Sequence, residues 1–230
     1  LYDYIKYQNR VVLMETLAKE ISNELKAILD QKATAILAVP GGSTPKLFFE
    51  KLNLIDLHWE RVIVLLTDER FVPESDKASN SGFVRTHLLK NCASKARLLN
   101  FFEPDCSIEK LAGAMSGKLK SLLPIDLCIL GMGSDMHTAS IFPDAERLND
   151  ALDLYSDHVL VPISSPSITE NRLTLTAKVI RSASKLHLLI TGCKKKAALD
   201  FALKSTDEWN EAPIRSVLFM DKDIKIHYAE

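Results

Sequence analysis

Four short apolar runs constrain this chain more than any other feature: Ala35–Val39 (AILAV), Val62–Leu66 (VIVLL), Leu127–Leu130 (LCIL) and residues 186–191 (LHLLIT). None shows the alternation expected of a strand with one wet face, so each reads as a strand covered on both sides. Amphipathic stretches separate them. Met14, Leu17, Ala18, Ile21, Leu25, Ile28 and Leu29 recur at helical spacing over residues 11–31, as do Ile108, Leu111, Ala112, Met115, Leu119, Leu122 and Leu123 further on. KLFFEKL after Pro45, residues 83–89 and KKKAALDFALK after Gly192 read as further helices, and residues 98–102, 158–163, 172–176, 217–220 and 224–228 as further strands. Strands alternating with helices predict an α/β fold: a mainly parallel sheet flanked by helices on both faces, in a single domain over residues 1–230.

The polar residues fall where such a fold binds ligands. The four buried runs empty, in chain direction, into GGST, TDER, GMGSDMHT and TGCKKK. The carboxyl ends of parallel strands lie along one edge of the sheet, so the four clusters are expected to converge on one site there. The charges nearly cancel, 29 basic against 30 acidic, which leaves no overall field to attract nucleic acid or an anionic membrane. An anionic ligand has to be met locally. Cys92, Cys106, Cys128 and Cys193 form no CxxC pair and read as reduced thiols, which suits a cytoplasmic protein. LYDYIKYQNR has no apolar signal-peptide core, and no later apolar run is long enough to span a bilayer.

Each cluster has a plain structural reading beside the functional one. Gly41, Gly42 and Ser43 offer a close approach to an anion or to sugar hydroxyls, or merely make a tight turn with a hydroxyl cap. Asp68 and Arg70, two apart on an extended segment, aim a carboxylate and a guanidinium at one ligand, or form a surface ion pair. Lys194, Lys195 and Lys196 at a helix start oppose its dipole, a conflict that a phosphate resolves and a solvated face ignores. The loop after Leu130 is the most ligand-like: two glycines, Asp135 and His137 in seven positions. Its sixth position is Met136, not the glycine of a dinucleotide turn, GxSxG is absent from the chain, and no familiar third metal ligand lies near Asp135 and His137. General base is the role that suits His137.

Taken together, GGSTP at 41–45, TDER at 67–70, Ser79 and Asn80, GMGSDMHTASIFP at 131–143, RLTLT at 172–176 and Gly192 with Lys195 resemble the 6-phosphogluconolactonases, in the group that includes glucosamine-6-phosphate deaminases and isomerases. The deaminases carry a Glu shortly after the His, and HTASIFP has none, which favours the lactonase branch. The resemblance implies hydrolysis of 6-phospho-D-glucono-1,5-lactone without metal, nucleotide or covalent intermediate. His137 takes the water proton, and Asp135 orients the imidazole or a sugar hydroxyl. Arg70 and Lys195 with Arg172 hold the phosphate, Gly41, Gly42 and Ser43 line the sugar, Asp68 binds its hydroxyls, and Asn80 joins the substrate-binding set. Met136 departs from the family, which usually has glycine there, so it either tolerates the turn or bends the site. A deaminase or isomerase of the same fold, or a sugar-phosphate-binding regulator without turnover, are the alternatives.

Overall fold

A computed structural model describes residues 2–220 and 222–230. The elements run β1 (Tyr2–Lys6), α1 (Arg10–Leu29), β2 (Ala35–Val39), α2 (Lys46–Leu52), β3 (Val62–Leu66), β4 (Asp68–Arg70), α3 (Asn80–His87), β5 (Arg97–Leu98) and α4 (Ile108–Lys120). Then come β6 (Leu127–Leu130), α5 (Leu148–Leu152), β7 (Leu160–Ile163), β8 (Arg172–Leu175), α6 (Ala177–Ser182), β9 (Lys185–Thr191), α7 (Cys193–Ala202), α8 (Arg215–Leu218) and β10 (Ile224–Ala229).

Seven strands form one parallel sheet in the order β1-β10-β9-β6-β2-β3-β5. Every residue of β2, β3 and β6 is buried, because helices cover both faces of the centre of the sheet. α1 shows how a cover is specified. Asn9 caps it by accepting from the Val12 N–H at 3.0 Å, and its apolar stripe buries Leu13, Met14, Leu17, Ala18, Ile21, Leu25 and Leu29. Each such burial is worth roughly 1.5–3 kcal/mol for the larger side chains. From β2 the chain builds outward to β3 and β5, then returns to place β6 on the other side of β2. The order therefore reverses at β2, and a crevice opens outside the carboxyl ends of β2 and β6.

Two expectations need correction. Residues 217–220 are not a closing strand: Arg215–Leu218 is helical, with Val217 and Leu218 both buried. A short apolar run buried on all sides has no period that distinguishes strand from helix. Of residues 98–102 only Leu98 lies in a strand, since the Asn100 side chain accepts from the Phe102 N–H and turns the chain away. The polar start forms an edge strand, β1, whose pairing partner is β10 at the far end of the sequence. Beside the large sheet stands a small antiparallel one, β4-β8-β7, that the α/β pattern did not foretell.

Candidate active site

A cavity of about 250 Å³ opens at the carboxyl ends of β2, β3, β6 and β9. Gly41, Gly42, Ser43, Asp68, Arg70, Asn80, His137, Arg172 and Lys195 all line it, so nine of the ten residues expected from the sequence share one space. The tenth, Asp135, stands behind His137 and is hydrogen-bonded to it.

The first wall is the loop after β2. Gly42 has φ +82°, a conformation that favours glycine, and a Cβ on Gly41 would lie 1.8 Å from Asn80 Oδ1. Neither Ser43 nor Thr44 caps α2, which leaves their hydroxyls available to the cavity.

The second wall is cationic. β4 and β8 run antiparallel with Arg70 directly opposite Arg172. Like charges in that register repel. Arg172 is partly balanced: Asp68 Oδ2 lies 3.8 Å from Nη1, and its guanidinium sits 5.2 Å from the Phe142 ring. Burial lowers its pKa, and Arg70 adds to that, while Asp68 opposes both. Arg70 Nη1 donates to the Ala78 carbonyl. The Nε atoms of both arginines and Asn80 Oδ1 are buried without a protein partner, whereas polar groups in such positions are normally paired. Lys195 completes this wall. Burial pulls its pKa down and the Asp135 charge pushes it back up. Of the three lysines, Lys194 is exposed and Lys196 pairs with Asp200 at 2.5 Å, so only Lys195 serves the cavity.

The third wall is the loop after β6. His137 Nδ1 meets Asp135 Oδ1 at 2.6 Å, and its ring lies 4.3 Å from that of Phe142. With Nδ1 engaged, Nε2 is the nitrogen left for chemistry in the cavity. Burial raises the Asp135 pKa, but the hydrogen bond and charge of His137, with backbone donors, outweigh it and hold the group below the usual carboxylate range. Asp135 thus remains an acceptor that fixes the tautomer and tilt of the imidazole. Gly133 makes room for the pair: a Cβ there would lie 2.2 Å from Asp135 Oδ1 and 2.3 Å from His137 Nδ1. Met136 has φ +65°, the left-handed region, where a side chain costs roughly 1–2 kcal/mol. Met136 is therefore strained into a turn that glycine would adopt freely.

Two residues that carry the site escaped the sequence reading. Glu69, buried in the middle of TDER, accepts from the N–H groups of Arg70, Asn80 and Ser81, each at 2.7 Å, and from Ser79 Oγ at 3.2 Å. Burial raises its pKa despite those donors. It fastens the Asn80 segment to β4. Ser140 Oγ donates to Asp68 Oδ2 at 2.6 Å, and Thr67 Oγ1 donates to Oδ1 at 3.2 Å, so Asp68 is held rigid before any ligand hydroxyl reaches it. A buried carboxylate between two charged neighbours and a serine in a polar loop were the only clues.

Glu20, His187 and His227 form a candidate metal-ligand group among the described residues, but none of them lines the cavity. Their imidazoles bond to each other at 2.9 Å, to Tyr7 at 2.8 Å and to Glu24 at 2.9 Å. No helix of the described residues is long and apolar enough to cross a membrane.

A 6-phosphogluconolactonase of Mesorhizobium japonicum is 40% identical over 218 residues, which cover 94% of this chain and 90% of that one. The crystal structure of a 6-phosphogluconolactonase from Shewanella baltica matches with a TM-score of 0.96 at 30% identity, over 100% of this chain and 98% of that one. A monomeric glucosamine-6-phosphate deaminase also superposes, with a TM-score of 0.82 at 17% identity over 99% and 98% of the two chains, so the fold is common to both chemistries. The sequence model of the glucosamine-6-phosphate isomerases/6-phosphogluconolactonase family matches residues 8–226, and the chain belongs to that family.

Proposed function

We propose that this protein hydrolyses 6-phospho-D-glucono-1,5-lactone to 6-phosphogluconate, the lactone-opening step of the oxidative pentose phosphate pathway. One observation carries the reading: His137, backed by Asp135, lines the same small cavity as three cations, Arg70, Arg172 and Lys195. An anionic, uncharged-at-the-centre sugar ester fits that division. The dianionic phosphate relieves the repulsion between Arg70 and Arg172 and uses their unpaired Nε donors. Gly41, Gly42 and Ser43 line the sugar, and Asp68 and Asn80 Oδ1 accept from its hydroxyls.

His137 Nε2 takes a proton from water as the water oxygen attacks the lactone carbonyl carbon. Asp135 stabilises the resulting imidazolium. As the tetrahedral intermediate collapses, the ring C–O bond breaks and the imidazolium returns the proton to the departing ring oxygen, leaving a hydroxyl and a carboxyl group. The relatives named as lactonases support lactone hydrolysis as the overall reaction. So does HTASIFP, which lacks the acid of the deaminase pattern. The four free cysteines suit a reducing, cytoplasmic setting, and walls drawn from residues 40 to 195 suit action as one domain. The test is a two-substrate assay. Lactone opening above the spontaneous rate with no ammonia release from glucosamine-6-phosphate is the expected result; the reverse pattern would replace the proposal with deamination.

A further inference from the structure

His137 follows Met136 directly, so the orientation of the imidazole depends on a left-handed turn that Met136 does not favour by itself. Within the loop, the Gly133 and Met136 N–H groups close the turn on the carbonyls of His137 at 3.0 Å and Gly133 at 3.2 Å. A third restraint comes from far along the chain. The Ile214 N–H donates to the Met136 carbonyl at 3.0 Å.

Ile214 ends the segment between α7 and α8, and the next residue organises that segment. Arg215 is charged yet only 2% exposed. Its Nε donates to the Ala202 carbonyl at 3.1 Å, and Nη1 to the carbonyls of Asp207 at 3.2 Å and Glu208 at 3.3 Å and to Glu211 Oε2 at 3.2 Å. Nη2 reaches the Phe201 carbonyl at 3.5 Å, with the guanidinium 5.6 Å from the Phe201 ring. A buried cation is tolerated only when its donors are used, which fixes the carbonyls around it in one arrangement. The carbonyls at Phe201 and Ala202 close α7, the helix whose first turn carries Lys195. One side chain therefore ties the helix that carries Lys195 to the segment that restrains the His137 loop.

From this geometry we infer that Arg215 is a positioning residue for His137: it orders residues 207–214 so that the Ile214 N–H holds Met136 in a turn that glycine would adopt unaided. The inference rests on His137 acting as the base. It also accounts for how the chain keeps a left-handed turn there without a glycine. Arg215 does not line the cavity, so its effect on His137 has to pass through the Ile214 N–H and the backbone of Met136.

The test is a double-mutant cycle on folded protein, with kcat and KM for the lactone read per molecule. Arg215→Lys and Arg215→Met, in the native background, are expected to lower kcat about tenfold while KM changes less than about threefold, as for a displaced base. In the Met136→Gly background the same replacements should cost less than about threefold, because the turn no longer needs the restraint. Equal losses in the two backgrounds, or an unchanged kcat in the native one, overturn the inference and leave Arg215 a purely structural residue. Should the Arg215 variants fail to fold, Glu211→Gln, which loosens the same guanidinium, must show the same background dependence at smaller size or the inference falls. His137→Ala, measured alongside, separates the two claims. If it keeps wild-type kcat, the base assignment fails; if it loses kcat while the cycle is additive, only the role of Arg215 fails.

Discussion

Replacing Gly133 with alanine puts one methyl group where the catalytic pair now sits. The added Cβ would lie 2.2 Å from Asp135 Oδ1, 2.3 Å from His137 Nδ1 and 2.4 Å from His137 Cε1, distances that no packed structure sustains. Three neighbouring contacts this short cannot be cleared by one rotation. The imidazole and the carboxylate are themselves joined at 2.6 Å, and the ring is backed by Phe142 at 4.3 Å. The ring must swing out or the pair must break. A misplacement of about 1 Å costs on the order of 10²-fold, and loss of general base catalysis about 10²- to 10⁴-fold, so kcat should fall by roughly 10²- to 10³-fold. The phosphate wall is untouched, since Arg70, Arg172 and Lys195 come from other elements, and KM should stay within a few-fold. Overpacking by a single methyl costs about 1–3 kcal/mol, small enough for the variant to fold. The assay is initial-rate lactone hydrolysis corrected for spontaneous opening, on protein shown to be folded by circular dichroism. A folded Gly133→Ala enzyme with kcat within threefold of wild type would refute the claim that Asp135 and His137 act as a fixed pair.

Two further outcomes follow from charges elsewhere. Arg70→Ala, Arg172→Ala and Lys195→Ala should each erode the preference for phosphorylated over unphosphorylated lactone, because these three cations are the ones that hold the phosphate in the proposed reading; an unchanged preference in all three would remove the phosphate from that wall. Stability should fall with acid through the buried chain Tyr7–His227–His187–Glu24. Burial, with the neighbouring His187 and Lys225, pushes the His227 pKa down from 6.5 to about 3, so the unfolded chain binds the extra proton and unfolding gains as pH drops from 6.5 towards 3. Burial works against Glu24, but His187 and Lys185 hold it down to about 2, and its contribution, complete above 4.5, is lost as pH falls towards 2. Thermal melts of wild type and His227→Asn between pH 7 and 4 should show a steeper decline for wild type; parallel curves would sink this account.

The sequence told most where burial left a one-dimensional signature. β2, β3 and β6 were legible because strands covered on both faces must be apolar throughout, and the polar residues that follow them could only stand at the ligand-binding edge. Gly41, Gly42, Ser43, Asp68, Arg70, His137 and Lys195 fall in such strand-end clusters, with Asp135 beside His137, whereas Asn80 and Arg172 entered only through the family resemblance. What stayed hidden depends on distant partners. β1 is a strand because β10 pairs with it, and residues 215–218 are a helix because packing, not period, decides a short apolar run. The pairing of β4 with β8, which sets Arg70 against Arg172, joins segments a hundred residues apart with no local sign of it. Glu69 and Ser140 look like ordinary polar residues until their partners are known. Met136 is the instructive case. The letter departs from the glycine expected there, while its backbone is left-handed, as a glycine would allow.

The most direct test of the account is the rate of lactone opening by folded His137→Ala protein, set against the spontaneous rate at the same pH. If Nε2 of His137 activates water, kcat should fall by about 10²- to 10⁴-fold, equivalent to roughly 3–5 kcal/mol of transition-state stabilisation, with KM little changed. Turnover near that of wild type would contradict it and take His137 out of the chemistry.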